Sequence, residues 1–356
     1  MSSTNQVKIG VVGVGTISEL HLNAYKNNPN VRIEAICDLN EERAKATAAK
    51  YGAPQAFSDY HRMFAEAGLD GVSICTWNNT HEPIAIAALQ AGLHVLLEKP
   101  LSTTVEAALR IEEAVRSTGR KLQVGYVRRY DNNAQLVKQF ADAGEFGEFY
   151  YAKASSIRRV GNPGGWFTDK ERSGGGPVID IGVHVVDLCW YLMGRPKPVS
   201  VSANTYRKLG NRANVKHMTS YKAADYDASR NTVEDMANAI IRFEGGASLL
   251  LEASFTLHAK ENKTTISLFG DKGGVEIDPA LAIVTEKHDT ILNVTPQTDH
   301  PGFHLESAFQ NEINHFVDCV RTGAEPISPV SDGVAVMKML CGIYESAEKG
   351  EEIRLS

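Results

Sequence analysis

The first third of the chain alternates short apolar runs with longer stretches in which apolar residues recur at helical spacing. The apolar runs predict buried strands, and they lie at 7–12, 31–37, 71–76, 94–97 and 122–126. Helical stretches follow the first four runs, and Gly52, Gly92 and Gly119 stand directly after three of these stretches, where helices commonly end. Because strands alternate with helices, we predict a parallel sheet with right-handed crossovers, in an α/β domain over residues 1–128.

The pattern changes after residue 128. One more helix is predicted at 132–143, and two close the chain near 305–322 and 332–349, but strand-like segments dominate between them. These segments lie at 149–157, 199–204, 236–243, 247–256, 264–269 and 273–277. Glycine pairs at 245–246 and 273–274 indicate hairpin turns. We therefore expect an α+β domain over residues 129–356, with a large, mostly antiparallel open sheet.

A polar, irregular stretch at 206–235 interrupts the strands of this second domain. Loops of this length without periodicity are uncommon and are often functional. We interpret the stretch as a surface insertion that covers a site or reaches a partner subunit.

Composition restricts the classes of partner. The 356 residues agree with two domains of about 150 residues each. With 37 basic and 43 acidic residues the net charge is −6, which argues against nucleic acid as the main partner. The five cysteines show no CxxC spacing, no apolar run is long enough for a membrane span, and the N-terminus lacks the pattern of a secretory signal. We therefore predict a cytoplasmic protein with no membrane partner.

A glycine-rich turn follows the first predicted strand and opens the first helix. Its residues Gly13-Val14-Gly15-Thr16-Ile17-Ser18 match G-x-G-x-x-G except that serine replaces the last glycine. The first glycine permits a tight turn, and the second lets the backbone approach a pyrophosphate at the helix N-terminus. We predict a Rossmann dinucleotide-binding domain in which Gly13, Gly15, Thr16 and Ile17 contact the cofactor.

An acid follows the second predicted strand. Asp38 lies 23 residues after Gly15, close to the offset of about 20 at which an acid binds the ribose 2′-hydroxyl. A carboxylate there repels a 2′-phosphate, so NAD is preferred over NADP. Alternatively, Asp38 caps the next helix, and the nearby Arg43 keeps NADP as a second option.

The fourth predicted strand ends in Glu98-Lys99-Pro100. Ligands of such sheets bind at the carboxyl ends of the strands, where a lysine can bond a substrate hydroxyl and the nicotinamide ribose. The alternative is a surface turn whose ion pair contributes little to stability.

Together with three further segments, these motifs resemble the glucose–fructose oxidoreductase / inositol dehydrogenase (Gfo/Idh/MocA) family. The segments are TWNNTH at 76–81, Val-Gly-Tyr at 124–126 with Arg128, and the triple glycine at 174–176 that leads to Asp180 and His184. The resemblance covers essentially the whole chain. It implies a Rossmann domain, a C-terminal domain with an open sheet, a homodimer or homotetramer formed through that sheet, and NAD(P)-dependent redox chemistry on cyclitols or sugars.

An apolar helix predicted at 178–193 carries Asp180 and His184, which are four residues apart and therefore share one face. Polar groups on such a helix are costly to bury without a partner or a task, although a capping aspartate and a core histidine would also fit. A neutral His184 can take the proton of a hydroxyl while Lys99 holds its oxygen and Asp180 accepts from a neighbouring hydroxyl. The resemblance implies that Lys99, Asp180 and His184 are the catalytic trio; Lys99 as the base, with His184 as a positioning group, remains open.

Other polar residues at strand ends complete the predicted site. We expect cofactor contacts from Thr76, Asn78, His81, Glu98, Lys99 and Arg128. We expect substrate contacts from Lys99, Tyr126, Arg158, Trp166, Asp180 and His184. Trp166 is equally compatible with a core position. No metal-ligand spacing occurs, and no metal is expected.

The predicted function is an NAD-dependent oxidoreductase that moves a hydride between nicotinamide and a secondary alcohol of a sugar, glycoside or inositol. One alternative is a lyase or glycosidase that uses tightly bound NAD transiently, through oxidation, elimination and reduction. Another is a non-catalytic NAD(H)-binding protein, against which the set of Lys99, Asp180 and His184 argues.

Overall fold

Strands and helices alternate through the N-terminal part of the chain in the computed structural model, which describes residues 6–355. The strands are β1 (Val7–Val12), β2 (Val31–Cys37), β3 (Gln55–Phe57), β4 (Gly71–Ile74), β5 (His94–Glu98) and β6 (Leu122–Gly125). The helices are α1 (Thr16–Asn27), α2 (Glu41–Tyr51), α3 (Tyr60–Glu66), α4 (His81–Gln90) and α5 (Val105–Thr118). The strands form one parallel sheet in the order β3-β2-β1-β4-β5-β6. The predicted parallel Rossmann sheet is confirmed, whereas β3 and α3 are additional because they are too short to show periodicity.

Capping residues define where the helices that connect these strands begin and end. The Asn40 side chain accepts from the Arg43 amide at the start of α2, and the Thr104 hydroxyl accepts from the Ala107 amide at the start of α5. Gly52 ends α2 in the left-handed conformation, at φ 72°. The strand ends between these helices are therefore held in defined positions.

The remainder of the chain combines the strands of a second sheet with further helices. It contains α6 (Asn132–Asp142), β7 (Phe149–Ile157), α7 (Lys170–Ser173), α8 (Val183–Leu192), β8 (Pro198–Tyr206), β9 (Met236–Phe243), β10 (Ser248–Ser254), β11 (Lys263–Gly270), β12 (Gly273–Asp278), β13 (Ala282–Lys287), β14 (Thr290–Val294), α9 (Leu305–Thr322), α10 (Val330–Lys349) and β15 (Ile353–Arg354). The sheet order is β14-β13-β12-β11-β7-β10-β9-β8-β15. Within the described residues of this second sheet, β7 and β10 form the only parallel pair, so the predicted mostly antiparallel sheet is confirmed.

The chain divides into two compact units. The first unit extends to Tyr130 and also contains Leu305–Val334, and the second contains Asp131–His304 and the residues from Ala335 onward. The sequence analysis placed 305–334 in the second domain, but α9 belongs to the first unit. Its buried residues Ile313 and Phe316 pack in one core with residues of β1 and α1. Helical periodicity shows that α9 has an apolar face, but not which core that face enters.

None of the helices between residues 6 and 355 combines the length and the apolar character that crossing a bilayer requires.

Candidate active site

The turn between β1 and α1 fits the pyrophosphate of a dinucleotide. Gly13 has φ 82°, and a Cβ at this position would lie 2.7 Å from the Cys75 carbonyl oxygen, so only glycine is accommodated. A Cβ at Gly15, in contrast, would meet no protein atom within 4 Å. Protein packing therefore does not explain Gly15, whereas close approach of a ligand to the N-terminus of α1 does.

The next residues of this turn occupy different environments. Thr16 is exposed at the first position of α1, and Ile17 packs against the core of the first unit. The Ser18 hydroxyl donates to the Gly15 carbonyl oxygen at 2.6 Å. A small serine side chain thus replaces the third glycine of the motif, and its hydrogen bond stabilises the turn.

Asp38 lies at the end of β2 and is buried. Its Oδ2 accepts from the Val14 amide at 3.0 Å, and its Oδ1 accepts from the Asn40 amide at 2.8 Å and from Arg43 Nη2 at 2.7 Å. The carboxylate therefore joins the glycine-rich turn to the start of α2. The N-cap of α2 is Asn40 rather than Asp38, so the helix cap does not explain the acid.

Glu98 and Lys99 stand at the carboxyl end of β5, where the sequence predicts ligand contacts. Lys99 is half-buried, whereas Glu98 is buried. Glu98 Oε1 accepts from His21 Nε2 at 2.8 Å, and Oε2 accepts from the Lys99 amide at 3.1 Å. The glutamate thus bonds residues of the protein on both oxygens.

Three predicted cofactor residues follow β4. The Thr76 hydroxyl accepts from the Thr80 hydroxyl at 2.8 Å, and Asn78 is buried. His81 has no exposed surface, and its ring nitrogens face the carbonyl oxygens of Pro100 and Thr76, at 2.8 and 3.3 Å. A side chain without exposed surface reaches a ligand only through its neighbours, so His81 supports the site instead of lining it.

The segment after β6 holds the predicted Tyr126 and Arg128 and an arginine that the sequence analysis missed. Tyr126 is buried, and Arg128 is half-buried. The neighbouring Arg129 is fully buried, pairs with Asp332 at 2.5 Å, and lies 5.2 Å from the centroid of the Tyr126 ring. Nothing in the sequence distinguishes these adjacent arginines, because Asp332, the partner of Arg129, lies far along the chain.

The second unit carries Asp180 and His184 on one helical segment. Both side chains are half-buried, whereas Asp187 of the same segment is buried. The segment is not one α-helix as predicted: Val178–Gly182 form a π-helical turn, in which the Val183 amide donates to the Val178 carbonyl oxygen, and α8 follows. A Cβ at Gly182 would lie 3.2 Å from the Pro177 carbonyl oxygen, so glycine permits this turn; such turns often occur at functional sites.

A buried carboxylate that the sequence analysis missed holds the start of this segment. Glu234 accepts from the Gly176 amide at 3.0 Å, from the Val178 amide at 3.3 Å and from the Tyr344 hydroxyl at 2.8 Å. Burial raises the pKa of Glu234, and the hydrogen bond from Tyr344 acts in the opposite direction. A Cβ at Gly176 would collide with the Glu234 carbonyl oxygen, which explains the last glycine of the triple-glycine run.

Arg158 and Trp166 lie in the segment that follows β7. The Arg158 amide donates to the Ser254 carbonyl oxygen at 3.1 Å, and the half-buried Trp166 stacks on Phe167 with ring centroids 4.0 Å apart. The insertion between β8 and β9 packs against this segment, since the Ala223 amide donates to the Pro163 carbonyl oxygen at 2.8 Å. The insertion therefore packs on a neighbouring segment of the second unit, and the expectation that it covers a site or reaches a partner subunit stays a prediction.

The start of the insertion is anchored by a second buried acid. Asp235 accepts from the backbone amides of Lys208, Leu209 and Gly210. Glu234 therefore holds the start of the helical segment, and the adjacent Asp235 holds the start of the insertion. Between residues 6 and 355, no group of three or more His, Cys, Asp or Glu side chains is placed to hold a metal ion.

Comparison with known proteins was made at the levels of family, sequence and structure. Residues 7–126 match an oxidoreductase family with an NAD-binding Rossmann fold, and residues 134–276 match the GFO/IDH/MocA C-terminal domain. D-glucoside 3-dehydrogenase of Escherichia coli K12 is 30% identical over 99% of both chains. Myo-inositol 2-dehydrogenase of Thermotoga maritima is 26% identical over 98% of both chains.

Among solved structures, an oxidoreductase domain protein from Kribbella flavida has a TM-score of 0.87 and 24% identity, and the match covers 99% of this chain and 100% of that one. This structural likeness confirms the fold, and the full-length sequence match confirms the family. The chain belongs to the GFO/IDH/MocA family of oxidoreductases, whose N-terminal domain is an NAD-binding Rossmann fold.

Proposed function

We propose that the protein oxidises a secondary hydroxyl of a sugar, a glycoside or an inositol with NAD as the acceptor. The observation that carries the proposal is the position of Lys99, which directly follows β5 of the same sheet whose β1–α1 turn fits a pyrophosphate. Two relatives of nearly full length, D-glucoside 3-dehydrogenase and myo-inositol 2-dehydrogenase, support this substrate class. Relatives with these activities do not favour the transient use of NAD by a lyase or glycosidase.

The cofactor is held by the first unit. The backbone of Gly13, Gly15, Thr16 and Ile17 binds the pyrophosphate at the start of α1, and Asp38 accepts from a ribose hydroxyl. The carboxylate of Asp38 disfavours the 2′-phosphate of NADP. When bound there, NAD supplies the acceptor for the hydride of the alcohol carbon.

Side chains of the protein bind the oxygen of the alcohol and remove its proton. The Lys99 ammonium holds the oxygen and stabilises the negative charge that develops on it. His184, as a neutral imidazole, takes the hydroxyl proton, and Asp180 accepts from a neighbouring hydroxyl and so selects polyhydroxylated substrates. If Lys99 is the base instead, His184 orients the substrate.

The first experiment is a substrate screen with purified protein and NAD. We expect the absorbance of NADH to rise with at least one compound among methyl glucosides, free sugars and inositols. Protein that binds NAD but reduces none of it with any of these compounds contradicts the proposal. Cleavage of a glycoside without accumulation of NADH would indicate the transient use of NAD.

We also propose that the protein works in the cytoplasm as a homodimer or homotetramer formed through the second sheet. None of the five cysteines, which all lie within residues 6–355, forms a disulfide, and this suits a reducing compartment. Ile240 and Leu250 pair between β9 and β10 and both expose apolar surface, which suits a sheet face with a partner. Sedimentation of the native protein as a monomer would contradict the oligomer, and Ile240→Glu should shift a dimer or tetramer towards smaller species.

A further inference from the structure

Two buried histidines hold the Glu98–Pro100 segment at its two ends. His21 of α1 places Nε2 at 2.8 Å from Glu98 Oε1, and His81, the first residue of α4, places Nδ1 at 2.8 Å from the Pro100 carbonyl oxygen. Both rings are 0% exposed. Lys99 lies between the two fixed residues, so its backbone is held from two different helices. We call His21 and His81 the two-histidine clamp.

The hydrogen bonds around His21 determine its tautomer. In a bond between a carboxylate and an imidazole the nitrogen is the donor, so we assign the proton of the 2.8 Å bond to His21 Nε2. On the other side of the ring, Nδ1 lies 3.2 Å from Ser73 Oγ, which lies 2.7 Å from the Tyr25 hydroxyl. Burial raises the pKa of Tyr25, so the phenol keeps its proton and is able to donate to Ser73. Ser73 can then donate to Nδ1, and hydrogen bonds run in one direction from Tyr25 to Glu98.

The tautomer of His81 follows from burial. Burial lowers the pKa of His81, so the ring is neutral near neutral pH and donates through one nitrogen. Nδ1 is 2.8 Å from the Pro100 carbonyl oxygen, whereas Nε2 is 3.3 Å from the Thr76 carbonyl oxygen. The shorter distance assigns the proton to Nδ1 and the stronger bond to Pro100.

The packing of Glu98 adds a third restraint. A Cβ at Gly125 would lie 3.2 Å from Glu98 Cα and 3.3 Å from the carboxyl carbon of Glu98. Glycine at this position of β6 therefore leaves the space that the glutamate occupies. Glu98 Oε2 in turn accepts from the Lys99 amide at 3.1 Å. The restraint therefore passes from His21 through Glu98 directly to the backbone of Lys99.

We propose that His21 and His81 are positioning residues that fix Lys99 for turnover, and that Glu98 transmits the restraint of His21 to Lys99. This inference rests on the proposed function, in which the Lys99 ammonium holds the substrate oxygen. Rates fall steeply when a reacting group is displaced by about 1 Å, so releasing either end of the segment lowers turnover even though neither histidine touches a ligand.

The test compares substitutions that remove the hydrogen-bond donor with substitutions that preserve it. His21→Leu and His81→Leu should lower kcat about tenfold or more while the Kd of NAD stays within about twofold. His21→Gln places an amide N–H near the position of Nε2, and His81→Asn places one near that of Nδ1, so both should restore most of kcat. Rates in the leucine variants equal to that of the wild type would overturn the proposal, as would glutamine and asparagine variants as slow as the leucine ones.

The matched control is His94→Leu. His94 begins β5, is half-buried, and accepts from the Lys121 amide at 3.1 Å, but its side chain forms no hydrogen bond to residues 98–100. We expect this variant to lose thermal stability and keep its kcat. If it loses kcat as much as the clamp variants do, the clamp effect is a general consequence of losing a histidine from this sheet, and the proposal falls.

A double-mutant cycle separates positioning from general structural support. In a Lys99→Ala background, His21→Leu should have no further effect on the residual rate, because the lysine through which it acts is absent. Full additivity of the two effects would overturn the proposal. If His21→Leu does not fold, Ser73→Ala replaces it, with an expected loss of about threefold in kcat; an unchanged kcat would then decide against the clamp.

The outcomes distinguish this inference from the proposed function. If the wild-type protein turns over no substrate in the screen, the proposed function fails and the clamp falls with it. If the wild type is active and Lys99→Ala is not, but the clamp variants keep their rates, the proposed function stands and only the clamp is rejected.

Discussion

Replacing Asp38 with alanine should change which nicotinamide cofactor the protein binds. A carboxylate offers about four acceptor positions, and three are used by the Val14 amide, the Asn40 amide and Arg43 Nη2. One position on Oδ2 therefore remains for a ribose hydroxyl. A hydrogen bond to a charged group contributes about 1.5–3 kcal/mol. At 1.4 kcal/mol per tenfold change, Asp38→Ala should weaken NAD binding about 10- to 150-fold.

The same substitution should affect NADP in the opposite direction. It removes the negative charge that repels the 2′-phosphate, and it releases Arg43, whose side chain is 55% exposed in its ion pair with Asp38. It also leaves the Val14 amide without its acceptor, which should lower the free energy of unfolding by about 1–3 kcal/mol. Isothermal titration with NAD and NADP gives the two Kd values, and urea unfolding gives the stability.

Asp59→Ala is the control for a purely structural role. Asp59 is the N-cap of α3 and accepts from the His61 amide at 2.8 Å, so its loss also removes a carboxylate that binds backbone. We expect this control to lower stability without changing either Kd. If Asp38→Ala likewise lowers stability but changes the Kd of NAD by less than threefold and leaves that of NADP unchanged, Asp38 is structural and the ribose assignment is wrong.

Three further predictions concern the catalytic groups and the buried network. Lys99→Ala and His184→Ala should each lower kcat about 10²-fold or more with the Kd of NAD nearly unchanged; wild-type rates in both would refute their roles. Tyr344→Phe removes the hydrogen bond to Glu234 and should lower the free energy of unfolding in urea by about 1 kcal/mol; an unchanged value would contradict the anchoring of the helical segment. Because burial lowers the pKa of His81, the unfolded chain binds a proton that the folded chain excludes, so stability should fall as the pH drops below the ordinary value of 6.5. His81→Asn should reduce that slope, and an undiminished slope would contradict the burial of a neutral ring.

The sequence predicts the parts of the site that depend on local pattern. Gly13 and Gly15 stand in a strand–turn–helix context that needs no distant information, and Lys99 stands at a strand end that periodicity alone locates. The alternation of strands with helices gives the parallel sheet for the same reason. The π-helical turn at Val178–Gly182 is not visible in this way, because a single extra residue per turn leaves the apolar pattern almost unchanged.

The missed residues have partners that are distant in sequence. His21 and Glu98 are 77 residues apart, and Glu234 and Gly176 are 58 apart, so no window of the sequence contains either pair. Glu234 also follows a polar insertion, where an acid is ordinarily solvated. Glu98 is a mixed case: both of its oxygens bond the protein, and the ligand contact that its place at a strand end predicts stays a prediction.

Transfer of a labelled hydrogen tests the proposed reaction most directly. Methyl glucoside with deuterium at C3 and inositol with deuterium at every ring carbon are each incubated with the protein and NAD, and the NADH and the sugar product are analysed by mass spectrometry. We predict that at least one of these substrates gives NADH with one deuterium per molecule. The amount of this labelled NADH should equal the amount of ketone that forms. Deuterium that returns to the sugar or passes to water, with no labelled NADH at any time, would contradict net oxidation of a secondary alcohol.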